Sequence, residues 1–315
     1  MDNIINILIY PLNKYELNFR KNKNIFKFFI FIIIVFIQIK LFKIKFNNKN
    51  LKVCLCTIGK KENLYIKEFV IHYKKIGYNK IFIYDNNDIN DERFEDVIKN
   101  EVNNGFVSII NYRGCKNCQL QSFNDCYENN NFKYNWLSFF DIDEFLELKN
   151  PNLTIQDFLG NDKFNKCMNV KINWVIYINN DLFYENKPLQ NKTYYKIIPD
   201  KHIKSTVRGN LPMNYWHKIG NPHSSDRKII TCSCSGKIID YESPFNIPPD
   251  TSYAILKHYR YKSFEEYCFK IKRGRADINN EELEKLINEF YIKNKENKDK
   301  LKIMKKIFNI NFKLL

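Results

Sequence analysis

Four short apolar segments, with helical patterns between them, constrain the fold of this chain more than any other sequence feature. The segments 51–57, 80–84, 106–111 and 136–140 are rich in aliphatic and aromatic residues. Apolar residues recur at helical spacing between them, most clearly over 62–76. Such alternation predicts an α/β fold in which a mostly parallel sheet is covered by helices on both faces.

The second half of the sequence is less regular. Residues 166–178 predict a further strand, whereas 205–236, with scattered histidine, proline and cysteine, predict a loop-rich region. A helix is predicted to follow Ser263, because Glu266 stands three residues on and completes a capping box. Another helix is predicted over 281–290.

Two acidic positions follow predicted strands. Asp85 ends the second strand, and the Asp141-Ile-Asp143 motif comes directly after the fourth. The carboxyl ends of parallel strands share one edge of a sheet, where ligands of α/β proteins bind. Carboxylate oxygens suit hard cations such as Mn²⁺ or Mg²⁺, which neutralise charge on a leaving diphosphate. The motif therefore predicts a divalent-cation site at this edge.

Three segments, 55–88, 136–148 and 258–277, resemble glycosyltransferase family 92 and the related family-2-like transferases. Their order and spacing also match, and the last, HYRYKSFEEYCFKIKRGRAD, is the most specific. The resemblance implies a GT-A (Rossmann-like) domain over 51–277. It also implies metal-dependent, inverting transfer of a hexose to a glycan or glycoprotein hydroxyl, and it favours UDP-galactose or a similar UDP-hexose as donor.

The resemblance assigns roles at the acidic edge. Asp141 and Asp143 look like the motif that binds the metal, Mn²⁺ or Mg²⁺, and the donor diphosphate, with Asp143 the more direct metal ligand. His258 falls where such enzymes often supply a late histidine to the metal.

The same resemblance implies a nucleotide pocket. Asp85 looks like the residue that meets uridine or ribose, Thr57 and Glu62 look like part of the pocket's first loop, and Lys262 looks like a diphosphate ligand. The sequence departs from the family pattern at 59–61, where an asparagine usually precedes the glutamate.

The inverting displacement that the resemblance implies needs a general base for the proton of the acceptor hydroxyl, and a carboxylate is expected in that role. That base is expected after the acidic motif, on the acceptor side. Asp226 and Asp240 are both candidates, and their spacing does not decide between them.

The formal net charge of +16 does not indicate a nucleic-acid-binding protein. The basic residues are spread along the chain and lack the clustering and fingerprints of nucleic-acid binding. A basic chain also suits anionic lipid headgroups or a diphosphate-bearing donor.

The apolar segment 25–42 predicts a single transmembrane anchor. It divides the chain into an N-terminal tail (1–24), the anchor, a stem (43–50), the catalytic domain and a basic helical extension (278–315). We expect an ER- or Golgi-type membrane with the domain in the lumen.

The nine cysteines allow several interpretations. Cys115 and Cys118 form a CxxC, and Cys232 and Cys234 form a CxC; together they are compatible with zinc or with disulfides. Small core or loop residues are predicted at four other positions: Cys54, Cys56, Cys126 and Cys268.

Two further classes of function stay open. A metal-dependent nucleotidyl- or phosphotransferase also uses paired carboxylates at the edge of a sheet. A catalytically inactive, membrane-tethered nucleotide-sugar-binding module is compatible with the departures at 59–61.

Overall fold

The computed structural model describes residues 51–211, 219–221, 224–225, 229–273 and 280–309. These residues fall within one compact unit, Asn50–Leu315. The predicted N-terminal anchor lies outside the described residues. No helix within the described ranges is long and apolar enough to cross a membrane.

The first half alternates strands and helices, as predicted. The elements are β1 (Val53–Gly59), α1 (Asn63–Lys75), β2 (Lys80–Asp85), α2 (Glu95–Asn103), β3 (Val107–Asn111), α3 (Gln119–Asn130) and β4 (Trp136–Phe139). Strand β1 pairs in parallel with both β2 and β4, and β3 pairs in parallel with the outer edge of β2. The carboxyl ends of all four strands therefore meet at one edge.

Alternate residues of β1 face opposite sides of the sheet. Val53 and Leu55 pack in the same buried cluster as Phe69 of α1. Cys54 packs in a second buried cluster, which contains Phe123 of α3. This alternation follows from the two-residue period of a strand. Helices consequently cover both faces of the sheet, which confirms that part of the fold prediction.

The second half contributes most of the antiparallel pairing. Its elements are β5 (Glu144–Leu148), α4 (Ile155–Leu159), β6 (Asn169–Ile178), β7 (Lys196–Arg208), β8 (Ile219–Asn221), β9 (Ser224–Ser225), β10 (Thr231–Ser233), β11 (Ile238–Ile239) and β12 (Ala254–His258). The main sheet has the order β11-β10-β6-β7-β4-β1-β2-β3, and β12 pairs with β5 and β6.

Two sequence predictions hold only in part in this half. The sheet is mixed: β7 runs antiparallel to both β4 and β6, whereas β10 and β12 pair with β6 in parallel. In addition, the end of β7 and all of β10 fall in the region predicted to be loop-rich, 205–236. The sequence did not indicate β7 as a strand because several of its residues are polar. Three of them, Lys204, Ser205 and Thr206, are nevertheless buried.

The C-terminal helices are α5 (Phe264–Arg273), α6 (Asn280–Asn294) and α7 (Lys298–Phe308). The predicted capping box of α5 is confirmed. The Ser263 backbone N–H donates to Glu266 Oε2 (3.0 Å), and the Glu266 backbone N–H donates to Ser263 Oγ (3.2 Å). Apolar residues of α7, including Met304 and Ile307, pack with Ile271 of α5 in a third buried cluster.

Three disulfides replace the shared zinc site that the two cysteine motifs allowed. Cys115 bonds to Cys118, and Cys232 bonds to Cys167, so the CxxC and the CxC do not form one metal site. The third disulfide joins Cys56 to Cys126 and so ties β1 to α3 across 70 residues. A covalent link across a loop of this length typically stabilises a fold by about 2–4 kcal/mol. Cys56 and Cys126 are both buried, as predicted for core residues, and the disulfide between them is an addition to that prediction.

We expect the free energy of unfolding to fall as the pH drops from about 6.5 towards 4, partly through His72. Burial lowers the pKa of His72 to about 4, and Nε2 of the neutral ring lies 2.8 Å from the Leu146 carbonyl oxygen. Within this window the unfolded chain binds a proton that the folded chain does not, so stability is lost at up to about 1.4 kcal/mol per pH unit. Urea unfolding across this range measures the slope.

The matched control is His72→Gln, which keeps a hydrogen-bond donor without a titrating ring. The variant should show a shallower dependence on pH than the wild type. Burial also lowers the pKa of His258, to about 3, but that contribution is common to both proteins and cancels in their difference. Equal slopes for the two proteins would contradict the prediction.

Candidate active site

A tight turn presents the acidic motif at the carboxyl edge of the sheet. After the buried strand β4, the Glu144 backbone N–H donates to the Asp141 carbonyl oxygen (3.0 Å). The Asp141 backbone N–H in turn donates to Glu144 Oε2 (2.9 Å). Glu144 is fully buried and begins β5, so these two hydrogen bonds attach the turn to the buried start of that strand. Burial raises the pKa of Glu144.

Asp143 is the most enclosed carboxylate of the motif, with 6% of its surface exposed. Its Oδ2 accepts a hydrogen bond from Lys270 Nζ (2.8 Å), and its Oδ1 lies 3.7 Å from His258 Nε2. Burial alone raises the pKa of Asp143, but the adjacent Lys270 ammonium outweighs it and holds the pKa well below its usual range. Asp143 is therefore a buried carboxylate that keeps its charge.

His258 reaches Asp143 because β12 pairs with β5, which places His258 opposite Glu144. Burial lowers the pKa of His258 to about 3, so the ring is neutral at physiological pH. Its Nδ1 is buried without a hydrogen-bond partner among the described residues. Its ring lies 4.3 Å from that of Trp174, measured between centroids. The structure thus brings together two of the predicted metal ligands, a charged carboxylate and a neutral imidazole.

Asp141, the third predicted ligand, lies nearer the surface. Its side chain is 31% exposed. Lys204 Nζ donates to its Oδ2 (2.8 Å) and Gln119 Nε2 donates to its Oδ1 (3.0 Å). Lys204 itself is buried and also lies 3.7 Å from Glu144 Oε1. Burial lowers the pKa of Lys204, but the charges of Asp141 and Glu144 outweigh this and raise it, so the lysine stays protonated.

A row of cations extends the site along α5. Lys270 and Arg273 are three residues apart and so share one side of α5, and Lys262 lies two residues before the helix begins. Lys262 Nζ donates to Glu62 Oε2 (2.6 Å), and Arg273 lies 3.6 Å from the other oxygen of the same carboxylate. Glu62 and Lys262, both predicted pocket residues, therefore form a buried ion pair next to the acidic edge.

Asp85 organises the loop that follows β2. Its Oδ1 accepts from the backbone and side-chain nitrogens of Asn87 (2.9 and 2.8 Å), and its Oδ2 accepts from Arg113 (2.6 Å). Arg113 also donates to the backbone carbonyls of Asp88 and Asp91. Asp85 lies at the same edge as Asp141, as the strand topology predicted, although its carboxylate is engaged by neighbouring residues. Its role towards a nucleotide stays a prediction.

The remaining predicted residues make no hydrogen bond or ion pair with the acidic motif among the described contacts. Thr57 is fully buried in β1 and its hydroxyl has no partner among the described residues. Asp240 is exposed after β11, where its carboxylate accepts from the Glu242 backbone N–H (2.9 Å). No contact of the described residues joins that carboxylate to Asp141 or Asp143. Asp226 lies outside the described residues, so the assignment of the base stays a prediction.

Several residues of the site were not predicted from the sequence. Lys204 belongs to a strand that the sequence did not reveal, and Gln119, the first residue of α3, was not singled out. Lys270 lies within the family-like segment 258–277 but was not singled out. The usable signal was its position three residues before Arg273, which places both on one side of α5.

The donor set is small for a metal site. Within the described ranges, no group of three or more histidine, cysteine, aspartate or glutamate side chains is placed to hold a metal ion. Asp143 and His258 supply one oxygen and one nitrogen donor. A protein site with few donors suits a cation whose remaining ligands are water and substrate phosphates.

Comparison with known proteins places this chain in a family. Residues 49–302 match the family described as Glycosyltransferase family 92, which covers most of the chain. The chain therefore belongs to glycosyltransferase family 92, as the sequence motifs predicted.

Plant proteins named for the same family are similar to this chain. A family 92 protein of Oryza sativa subsp. japonica is 30% identical over 118 residues, covering 35% of this chain and 18% of the relative. One of Ricinus communis is 23% identical over 240 residues, covering 72% of this chain and 38% of the relative. The chain thus spans less than two-fifths of the length of these relatives.

Among solved structures, this chain is similar to residues 1–349 of TarS from S. aureus. The complex with UDP has a TM-score of 0.39 and 12% identity, covering 79% of this chain and 73% of the other. The complex with UDP-GlcNAc has a TM-score of 0.40 and 11% identity, covering 78% and 73%.

Proposed function

We propose that this family 92 chain transfers a hexose from a UDP-sugar to a hydroxyl group of a glycan or glycoprotein, with inversion at the anomeric carbon. UDP-galactose is the first donor to test. The observation that carries the proposal is the pairing of charged Asp143 with neutral His258 at the carboxyl edge of the sheet. That edge is where α/β proteins bind their ligands.

A divalent cation fits this arrangement. Asp143 Oδ1 is 3.7 Å from His258 Nε2, which is too long for a hydrogen bond, and the neutral ring has a lone pair to offer. An oxygen and an imidazole donor suit Mn²⁺, with Mg²⁺ as the alternative. When bound, the cation neutralises the charge of the leaving diphosphate. Asp143 and His258 would hold it, and Asp141 lies at the more exposed side of the same turn.

The cations of α5 and of the residues just before it are suited to an anionic donor. Lys262 and Arg273 share the carboxylate of Glu62, so the three residues form a preorganised group beside the acidic edge. Diphosphate oxygens accept hydrogen bonds from ammonium and guanidinium groups in the same way as that carboxylate does. We assign the diphosphate to this row, and the nucleoside to the carboxyl ends of β1 and β2, where Thr57 and Asp85 lie.

The proposed setting is a single-pass membrane protein of the ER or Golgi, anchored by residues 25–42, with the domain in the lumen. Three disulfides among the described residues support an oxidising compartment, because disulfides persist there and are rare in the cytosol.

A second candidate is a nucleotide-sugar-binding module that does not turn over its ligand. The observation that favours it is that both carboxylates of the motif already have a cationic partner: Lys204 for Asp141 and Lys270 for Asp143. An ammonium group that stays in place would compete with a metal ion for the same oxygens.

The test uses the full chain in a mild detergent, with a panel of UDP- and GDP-sugars and either Mn²⁺, Mg²⁺ or EDTA. Release of UDP from one donor, dependent on the metal and abolished by EDTA, supports the proposal. Binding of UDP without turnover supports the inactive module. Release of UMP instead of UDP would indicate a nucleotidyl- or phosphotransferase. A folded protein that neither binds nor cleaves any donor would refute the proposal.

A further inference from the structure

Strand β7 bulges where it passes the acidic edge. A single residue of β6, Trp174, faces the three residues 200–202 of β7, so the pairing between the two strands is interrupted there. Bulges re-aim side chains and are over-represented next to active sites. In the bulged segment 200–202 the side chains no longer alternate between the two faces of the sheet as they do in a regular strand.

Buried amide groups hold the bulge in place. Asn173 Nδ2 donates to the carbonyls of Asp200 (3.1 Å) and Lys201 (3.2 Å). Its Oδ1 accepts from Asn246 Nδ2 (2.8 Å) and from the Asp250 backbone N–H (3.0 Å). The Asn246 backbone N–H donates to the Lys201 carbonyl as well (2.8 Å). Two buried asparagines thus hold the irregular backbone of these three residues in one conformation through hydrogen bonds.

The bulge presents an aspartate–histidine pair. Asp200 Oδ1 lies 2.5 Å from His202 Nδ1 and also accepts from the His202 backbone N–H (2.9 Å). Burial by itself raises the pKa of Asp200, but the hydrogen bonds from His202 outweigh it and lower the pKa, so the carboxylate stays ionised. An ionised carboxylate fixes the ring proton on Nδ1, which leaves the lone pair on Nε2. Both side chains are about one-third exposed, at 31% and 35%.

The pair lies close to the proposed cation ligands. The His202 ring stacks on Trp174, with centroids 5.0 Å apart and an interplanar angle of 25°. The same indole contacts His258, whose Nε2 faces Asp143. One aromatic side chain therefore separates a solvent-reachable imidazole from the buried metal-binding pair.

From this geometry we propose that His202 is the catalytic base of the transfer and that Asp200 is its positioning residue; this inference rests on the proposed function. The acceptor oxygen bonds to the anomeric carbon while its proton passes to His202 Nε2. The bond from that carbon to the diphosphate oxygen breaks, and its electron pair leaves with UDP. Asp200 stabilises the imidazolium, which then returns the proton to solvent.

The experiment compares variants of the full chain with the donor that the wild type turns over and a panel of p-nitrophenyl glycosides as acceptors. His202→Gln should lower kcat for transfer by about 10²- to 10⁴-fold, the usual contribution of a general base, with the donor KM unchanged. Asp200→Asn should lower kcat by about 10- to 100-fold, and Asp200→Glu should restore part of it. Lys201→Gln, on the same bulge, is the matched control and should stay within about twofold of wild type.

Binding of UDP, measured by calorimetry, separates this inference from the proposed function. Wild type that neither binds UDP nor turns over a donor refutes the proposed function itself. With an active wild type, a His202→Gln variant that transfers at the wild-type rate overturns the assignment of the base. The assignment is equally overturned if His202→Gln loses UDP binding, since the residue then supports the donor site. Loss of transfer with UDP binding retained supports it.

Discussion

Replacing Asp143 by asparagine is expected to lower the rate of sugar transfer by at least about 10³-fold, the upper range for loss of one preorganised electrostatic group. Asparagine keeps the shape of the side chain but removes the charge that Lys270 and His258 surround. A divalent cation would lose its buried carboxylate ligand. Steady-state transfer assays over a Mn²⁺ titration measure both the loss of rate and any weakening of metal activation.

Asp141→Asn is the matched control for this prediction. Asp141 is the more exposed carboxylate, and Lys204 and Gln119 engage both of its oxygens. We expect its loss to cost about 10- to 100-fold, as for groups that orient a metal site rather than dominate it. A larger effect at Asp141 than at Asp143 would reverse the assigned roles. Unchanged activity of Asp143→Asn, in a protein with a normal melting temperature, would rule out Asp143 as a metal ligand.

Local features of this fold were predictable from the sequence because their determinants are close together in the chain. The strands β1 to β4 and the helices between them are predicted by the periodicity of their apolar residues. The capping pair Ser263 and Glu266 is sufficient to predict where α5 begins. The approach of Asp85 and Asp141 to one edge also followed, because parallel strands fix where their carboxyl ends lie.

Pairings between distant residues were not predictable in this way. Lys204 reads as a polar residue in an irregular region, and only the insertion of β7 beside β4 buries it next to Asp141. The disulfide between Cys56 and Cys126 likewise depends on how α3 packs against β1. Asp200 and His202 form a pair because a bulge, invisible in the sequence, aligns them beside Trp174.

Lys204→Met is expected to lower the free energy of unfolding by about 3–5 kcal/mol, the usual result of removing one partner from a buried ion pair. Lys204 is 1% exposed and supplies the cation for both Asp141 and Glu144, and Glu144 is fully buried. Methionine fills a similar volume, so the loss reflects uncompensated carboxylates rather than a cavity. Urea unfolding at neutral pH measures the change.

Two further variants identify the cause of that loss. Glu144→Gln combined with Lys204→Met should recover part of the stability, because the buried carboxylate that lost its partner is gone. Lys171→Met is the matched control: this buried lysine of β6 donates to three backbone carbonyls and to no carboxylate in the described contacts. Its free energy of unfolding should fall by about 1–3 kcal/mol, the cost of unpaired buried acceptors. Adding Glu144→Gln to Lys171→Met should not raise it again. Equal recovery in both backgrounds would mean that Lys204 stabilises the fold by packing and not by pairing with Glu144.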